Sequence, residues 1–171
     1  MMSLLIKPLE YLPEHSGQVA IWHHQECERQ GLRSSLALRR QRLELHLQQR
    51  TLPKTLVAQL AGEPAGCVSL VRYALGQSDA ASPLWLANLF VVETLRNCGI
   101  GSALIDAAIL YARQLAFTEL WLSASDYTAF YQKRGWHIVR KTRLGGRQVN
   151  IMTISMIPAE DHCQLHPAVV E

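Results

Sequence analysis

The segment from residue 84 to residue 116 constrains the fold more than any other part of the chain. It begins with an almost continuously apolar run, 84–92, passes through a turn with two glycines, and continues into a stretch with apolar residues at helical spacing. A short apolar run of this kind predicts a strand buried on both faces. The spacing over 99–116 predicts a helix whose many alanines let it lie close to a sheet. Its recurring apolar residues are Ile100, Ala103, Leu104, Ala107, Ala108, Tyr111 and Leu115.

The turn between this strand and this helix has the composition of an anion-binding site. Glycines carry no Cβ atom to keep a ligand away from the backbone. The start of a helix presents unpaired N–H groups and a partial positive charge. Together these features predict a site for a phosphate or a pyrophosphate. The turn consists of Arg96, Asn97, Cys98, Gly99, Ile100 and Gly101.

The remaining elements complete a chain of mixed type. A weakly alternating segment predicts a first strand at 3–7, and two helices are predicted at 14–30 and 36–50. A hairpin is predicted from 54–61 and 67–75 around the turn 62–66, followed by a polar loop at 76–83. After the central helix come a strand at 117–123, a short helix at 127–134, and a terminal hairpin of 136–143 and 148–157 around Gly145-Gly146. Residues 1–157 are expected to form one domain, and 158–171, which lack periodicity, a flexible tail.

Composition excludes several classes of function. With 171 residues and 49% hydrophobic residues, the chain is long enough for one domain with its own core. A net charge of +3 is too small to argue for a nucleic-acid surface. Neither a membrane span nor a signal peptide is recognisable, and the four cysteines are scattered, so a cytoplasmic protein with reduced thiols is expected. The histidines lack the cysteine or carboxylate spacing of a metal site, so no metal is expected.

Two motifs in the correct order resemble those of GNAT-type N-acetyltransferases. The first is the strand followed by R-x-x-G-x-G at 96–101, and the second is Phe-Tyr-Gln-Lys-Arg-Gly-Trp at 130–136. The resemblance covers roughly residues 3–157 and rests mainly on element order in the N-terminal third. It implies an α/β fold with a mixed, mostly antiparallel sheet flanked by helices. That sheet is expected to splay at the strand before the phosphate-binding loop.

The resemblance also implies acetyl-coenzyme A as the cosubstrate. Backbone groups on the strand before the loop would pair with the pantetheine arm, as an extended ligand pairs with an open strand edge. Backbone N–H groups of the loop would hold the pyrophosphate, and Arg96 would add charge or brace the turn. The residues assigned to the cosubstrate in this way are Phe90, Val91, Val92, Arg96, Asn97, Cys98, Gly99, Ile100, Gly101 and Ser102.

By the same resemblance, Tyr131 is the catalytic candidate. The matching tyrosine of the family protonates the departing coenzyme A thiolate. A phenol with an ordinary pKa of about 10 is protonated at neutral pH and can donate. The implied reaction is direct attack of a primary amine on the thioester, without a covalent enzyme intermediate.

The acceptor side departs from the family pattern. Many members carry a carboxylate on the strand before the loop, where this chain has Ala87 and Asn88. The base is therefore left unassigned among Glu93, Asp126, His23 or His24, and bulk water. Asn88 and two aromatic residues are candidates to line the acceptor pocket. These aromatic residues are Trp22 and Trp85.

Other interpretations stay open at this point. The arginine-rich side of the second helix, with Arg39, Arg40, Arg42 and Arg50, is interpreted as a solvated face, with a substrate-facing patch as the alternative. The amine could be a protein N-terminus, a lysine, a polyamine or an aminoglycoside-like molecule. Alternative functions are a non-catalytic module that binds an acyl-coenzyme A, and a dinucleotide-dependent oxidoreductase suggested by Gly99-Ile100-Gly101.

The last hairpin predicts a homodimer. It offers more apolar surface than one sheet face needs, and an exposed patch of that kind often marks an interface. The residues concerned are Val149, Ile151, Met152, Ile154 and Met156.

Overall fold

The computed structural model describes residues 3–48, 51–72 and 82–157. The predicted tail, 158–171, lies outside these residues, as do Arg50 and most of the predicted loop at 76–83. The strands are β1 (Leu4–Pro8), β2 (Lys54–Leu60), β3 (Glu63–Arg72), β4 (Leu84–Val91), β5 (Glu119–Ala124), β6 (His137–Leu144) and β7 (Arg147–Ser155). The helices are α1 (Ser16–Arg29), α2 (Leu36–Gln48), α3 (Ile100–Gln114) and α4 (Thr128–Gln132).

The strands form one mixed sheet in the order β1-β2-β3-β4-β5-β7-β6. Neighbouring strands are antiparallel except β4 and β5, which are parallel and pair at a single position, Trp85 with Trp121. The two strands therefore diverge beyond Trp85 and leave an open edge on β4. The predicted fold class, including the splay before the loop, is confirmed.

A β-bulge at Asn88 accompanies the splay. Ser69 of β3 pairs with Ala87, and Cys67 pairs with Phe90, so the register shifts by one residue between these pairs. Asn88 has φ +55°, in the left-handed region, which asparagine tolerates better than most residues. The prediction of a strand buried on both faces is correct only for 84–86, because the strand beyond them loses its neighbour and is half-buried.

Both faces of the sheet are covered by helices. On one face α3 buries Ile100, Leu104, Ile105, Ala108 and Ala112 against the sheet. On the other face α1 and α2 form a second cluster with Leu9, Val19, Ala20, Trp22, Leu43, Val57 and Cys67. None of the helices in the described ranges is long and apolar enough to cross a membrane.

The turn between β2 and β3 is tighter than predicted. Ala61 and Gly62 have φ of +53° and +83°, the left-handed pair that closes a two-residue hairpin. Pro64 and Gly66 therefore belong to β3, and the predicted turn at 62–66 was wrong in extent. The strand takes Gly66 for a reason of packing, because a Cβ atom there would lie 2.5 Å from the Phe90 carbonyl oxygen of β4.

The apolar residues on which the dimer prediction rested are buried within the protein itself. Because β7 lies between β5 and β6, the side chains of Val149, Ile151, Met152 and Met156 are buried and Ile154 is half-buried. The apolar residues left exposed on the hairpin belong to the edge strand β6: Ile138, Val139 and Leu144. The premise of the dimer prediction was therefore wrong, and the dimer stays a prediction without that support.

Candidate functional site

The glycine turn leads into α3 without a side chain that caps the helix. Asn97 and Gly99 both have left-handed backbone conformations, with φ of +64° and +85°. Gly99 is the N-cap residue and makes no side-chain cap hydrogen bond, while its carbonyl accepts from Ala103 N–H over 3.0 Å. The first-turn N–H groups of α3 are thus not satisfied by a capping side chain, and they retain their affinity for an anion.

Packing within the protein does not require a glycine at position 101. A Cβ atom built there would contact Val91 Cγ2 at 3.8 Å and Phe130 Cζ at 4.0 Å, which are ordinary van der Waals distances. The protein alone would therefore accept alanine at this position. The missing side chain leaves the backbone accessible from outside, as a closely approaching ligand requires.

Arg96 braces the turn against β4. Its Nε donates to the Val91 carbonyl over 2.9 Å, and its guanidinium carbon lies 5.5 Å from the centre of the Phe90 ring. Of the two roles considered for this residue, the structure shows the bracing contact.

The outer end of β4 offers backbone groups alternately to its two sides. The Val92 N–H donates to β3 over 2.9 Å, and the Phe90 carbonyl lies against Gly66 of β3. The Val91 carbonyl instead accepts from Arg96. Among the three residues assigned to the pantetheine arm, Val91 is the one that turns away from β3 toward the open edge.

The end of α4 docks on the start of α3. Arg134 stacks its guanidinium on the Phe130 ring at 3.6 Å, donates from Nη1 to the Phe130 carbonyl over 3.0 Å, and donates from Nη2 to Ser102 Oγ. Arg134 therefore adds a positive charge beside the first turn of α3. The sequence interpretation missed this residue, although its place inside the 130–136 motif was a usable signal. Cys98 is exposed in the turn, and Ile100 is buried in the core.

Tyr131 is buried next to Phe130, whose ring lies at the Gly101 position. It is 7% exposed, and its ring meets Phe130 and Trp136 edge-on, at 5.3 Å and 5.9 Å between ring centres. Burial above all, with smaller effects of the Glu26 charge and of Tyr127, raises the pKa of Tyr131 to about 12, against an opposing effect of Arg134. The phenol is consequently protonated over the whole neutral and mildly alkaline range.

Glu26 of α1 is a half-buried carboxylate that the sequence interpretation did not single out. It accepts from Arg29 Nη2 over 2.6 Å and from Gln30 Nε2 over 3.0 Å. Burial above all, and then the negative charge of Glu26, raises the pKa of Cys67, and the same charge adds to the effect of burial on Tyr131. The carboxylate therefore lies near the space between α1, β3 and α4.

The two carboxylates that the sequence offered as candidate bases, Asp126 and Glu93, lie in surroundings that do not favour this role. Asp126 binds Arg29 over 2.8 Å and Arg147 over 3.3 Å, and the hydrogen bond from Arg29 lowers the pKa of Asp126. Glu93 is exposed in a short 3-10 turn after β4. Neither of these carboxylates stands out as a base.

The three acceptor-side candidates lie in different surroundings. Trp22 is buried and stacks on Phe90, with ring centres 5.1 Å apart and an interplanar angle of 25°. Trp85 packs with Trp121, Val149 and Ile151 in a separate cluster on the sheet. Asn88 occupies the bulge and borders a cavity. Asn88 therefore lies on the splayed strand and Trp22 packs against it, whereas Trp85 packs in a separate cluster.

A cavity of about 520 Å³ lies between α1, α2, the end of β3 and the bulge of β4. Among the described residues, its lining contains no Asp or Glu. The interpretation of the α2 arginines as a solvated face was therefore incomplete, since Arg39 and Arg42 border this cavity. Arg39 is half-buried and donates to Ser34 Oγ over 3.1 Å and to Cys27 Sγ over 2.7 Å. The lining residues are His23, Arg39, Arg42, Leu43, His46, Leu52, Pro53, Val71, Arg72 and Asn88.

Two neutral histidines belong to this lining. Burial, followed by the charges of His46 and Arg39, lowers the pKa of His23 to about 3. Burial and the Lys54 charge lower the pKa of His46 to about 4. His46 Nδ1 is 2.7 Å from Thr55 Oγ1. His24, in contrast, contacts Ser34 and Glu28 rather than the cavity. No cluster of three or more potential metal ligands occurs in the described part of the chain.

These histidines predict a loss of stability in mild acid. Below a pH of about 6.5 the unfolded chain binds protons at His23 and His46 that the folded chain does not bind, so the free energy of unfolding falls as the pH falls toward about 4. Each histidine adds a slope of up to about 1.4 kcal/mol per pH unit. Urea denaturation at a series of pH values should show a shallower slope for His23→Asn than for the wild type. Equal slopes would contradict the assignment of His23 as a buried neutral imidazole.

Comparison with known proteins agrees with this geometry. Residues 52–138, about half of the chain, match the family model described as "Acetyltransferase (GNAT) domain". The matched region contains the bulge, the glycine turn, α3 and Tyr131. No curated protein sequence matches the chain at a significant level.

Solved structures of low sequence identity share the fold. An acetyltransferase of the GNAT family from Streptococcus pneumoniae is 20% identical, with a TM-score of 0.66 over 90% of this chain and 99% of that one. An N-acetylglutamate synthase from Neisseria gonorrhoeae, complexed with coenzyme A and N-acetyl-glutamate, is 20% identical, with a TM-score of 0.65 over 92% of this chain and 36% of that one. An aminoglycoside 6'-N-acetyltransferase complexed with coenzyme A is 14% identical, with a TM-score of 0.70 over 90% and 98%. Given its family match, its sheet and its glycine turn, the chain belongs to the GNAT acetyltransferase family.

Proposed function

We propose that this protein transfers the acetyl group of acetyl-coenzyme A to a primary amine by direct attack. The observation that carries the proposal is the juxtaposition of the uncapped start of α3 with the buried phenol of Tyr131 on α4. The contact of Phe130 with the Gly101 position and the bond from Arg134 to Ser102 fix this juxtaposition. Two solved relatives of the same fold contain coenzyme A, which supports the choice of cosubstrate.

Each part of the site has a role in this reaction. The N–H groups of the 97–101 turn hold the diphosphate, Arg134 adds charge, and the open edge of β4 at Val91 pairs with an amide of the pantetheine arm. The amine nitrogen forms a bond to the acetyl carbon while the carbon–sulfur bond breaks. The electron pair leaves with sulfur, and Tyr131 donates its proton to it. The proton of the amine goes to a base that we leave unassigned, since β4 offers Ala87 and Asn88 at the usual position.

The presence of Ala87 and Asn88 where many family members have a carboxylate favours a second candidate function. Without a carboxylate on β4, the domain could bind an acyl-coenzyme A and not turn it over. The oxidoreductase hypothesis, in contrast, lacks its fold, because the mostly antiparallel sheet is not the doubly wound parallel sheet of dinucleotide-binding domains. A cytoplasmic location is part of our proposal, and the free thiols of Cys27, Cys67 and Cys98 agree with a reducing compartment.

Transfer can be tested with acetyl-coenzyme A carrying an isotopically labelled acetyl group. The wild-type protein should release free thiol and move the label onto nitrogen of an amine, in equal amounts, with amines drawn from amino acids, polyamines, aminoglycosides and peptides. Mass spectrometry identifies the acetylated amine. Saturable binding of acetyl-coenzyme A without label transfer to any of these amines would support the non-catalytic module instead.

A further inference from the structure

We infer that the cavity between α1, α2 and β4 receives the acceptor, and that this acceptor is an amine that also carries an acidic group, a carboxylate or a phosphate. The inference rests on the proposed acetyl transfer and adds the substrate class. It depends on the charges of the lining, on one buried unpartnered atom, and on the contact of the cavity with the β4 bulge.

Two arginines of the lining, Arg39 and Arg42, carry positive charge without a carboxylate partner among the described residues. Arg39 and Arg42 are three residues apart on α2, so they project from the same side of the helix. Neither guanidinium forms an ion pair with a carboxylate of the residues that the structure describes. Arg39 is held in place by Ser34 and Cys27, which orient its guanidinium without neutralising it. An oriented, partly desolvated guanidinium is suited to bind a carboxylate or a phosphate group.

His23 supplies an independent indication that the cavity takes a ligand. Its side chain is 4% exposed and lines the cavity. Its Nε2 atom is buried and has no hydrogen-bond partner in the described ranges 3–48, 51–72 and 82–157. Buried polar atoms in native proteins are nearly always paired, so an unpaired atom on a residue that lines the cavity supports a ligand at this place.

The position of the cavity gives the acceptor its orientation. Asn88 of the bulge borders the cavity on the side of β4, where the strand splays. We place the thioester in this splay, next to the pantetheine arm at Val91. Arg39 and Arg42 border it from α2. The amine is therefore expected at the Asn88 end and the acidic group at the α2 end. Polyamines and aminoglycosides would place further positive charges against these arginines, which like-charge repulsion opposes.

Matched pairs of amines test the inference. Each pair keeps the amine and removes the acid: alanine against alaninamide, phenylalanine against phenylalaninamide, and O-phosphoethanolamine against ethanolamine, with spermidine as the polycation. The wild type should show a higher kcat/KM for the acid of at least one pair, by roughly 10- to 100-fold. The first two pairs and the third pair distinguish a carboxylate from a phosphate acceptor.

Three variants locate the effect. Arg39→Gln and Arg42→Gln should each raise KM for the preferred acid by roughly 10-fold, with little change in kcat/KM for its neutral partner and in the affinity for acetyl-coenzyme A. Arg40→Gln, on the same helix but outside the lining, is the matched control and should behave as the wild type. Equal kcat/KM for acid and neutral partner in all pairs, or a preference for spermidine, would overturn the inference.

Thermal unfolding separates this inference from the proposed function. If no amine is acetylated, acetyl transfer has failed, but the acids can still be tested as ligands. A rise in Tm of the wild type with an acid, absent with its neutral partner and absent in Arg42→Gln, would support the anionic site. No acid-specific rise in Tm together with no turnover would overturn both.

Discussion

Replacing Tyr131 by phenylalanine is expected to lower kcat for acetyl transfer by roughly 10²–10⁴-fold, the usual contribution of a positioned acid. The buried phenol has a pKa of about 12, so it remains protonated and able to donate at every pH at which the enzyme would be assayed. Because the interaction forms as the carbon–sulfur bond breaks, kcat and kcat/KM should fall together. The affinity for acetyl-coenzyme A should change little, since the ring and its edge contacts with Phe130 and Trp136 remain.

The same segment offers a matched control. Tyr127 precedes α4 and is 57% exposed. The variant Tyr127→Phe therefore removes the same hydroxyl group from a tyrosine that is not buried. Steady-state kinetics of Tyr127→Phe should match the wild type. Full kcat in Tyr131→Phe would remove Tyr131 from the mechanism and leave the 130–136 segment with a packing role.

The part of the fold that could be predicted from sequence is the part with local signals. The strand, the glycine turn and α3 follow one another within 84–116, and each is marked by its own residue pattern. The second motif could be placed beside the turn because the resemblance supplied its position. The structure adds that the Phe130 ring lies at the Gly101 position and that Arg134 binds Ser102, which brings the two motifs together.

The features that sequence did not predict depend on pairing between distant segments. The sequence showed that Asn88 stands where many family members have a carboxylate. It did not show the left-handed backbone of Asn88, which follows from the register of β3 against β4. The apolar residues of the last hairpin were expected to be exposed. They are covered because β7 lies between β5 and β6, and this strand order cannot be predicted from a local sequence pattern. Arg39 and His23 lie on two different helices, and only the packing of α1 against α2 brings them to one cavity.

We propose that the glycine turn binds the diphosphate of acetyl-coenzyme A, and the variant Gly101→Asp tests this binding. The variant adds a side chain where the ligand would approach and a negative charge beside the diphosphate. A Cβ atom at this position meets its neighbours only at 3.8 Å or more, so the fold should survive the change. Unchanged circular dichroism and thermal unfolding would establish that point.

Gly17 provides a control with the same chemistry. It lies in the first turn of α1, and a Cβ atom there would meet nothing within 4 Å. Gly17→Asp therefore places the same charge at the start of another helix, away from the glycine turn. It should leave the affinity for acetyl-coenzyme A unchanged.

The decisive measurement is isothermal titration calorimetry of acetyl-coenzyme A, and of NAD, with the wild type and these two variants. We predict that the wild type and Gly17→Asp bind acetyl-coenzyme A with equal affinity and do not bind NAD. Gly101→Asp should bind acetyl-coenzyme A at least roughly 100-fold more weakly, because it loses the anion site at the start of α3. Equal affinity of Gly101→Asp and the wild type for acetyl-coenzyme A would contradict the account, as would binding of NAD in its place.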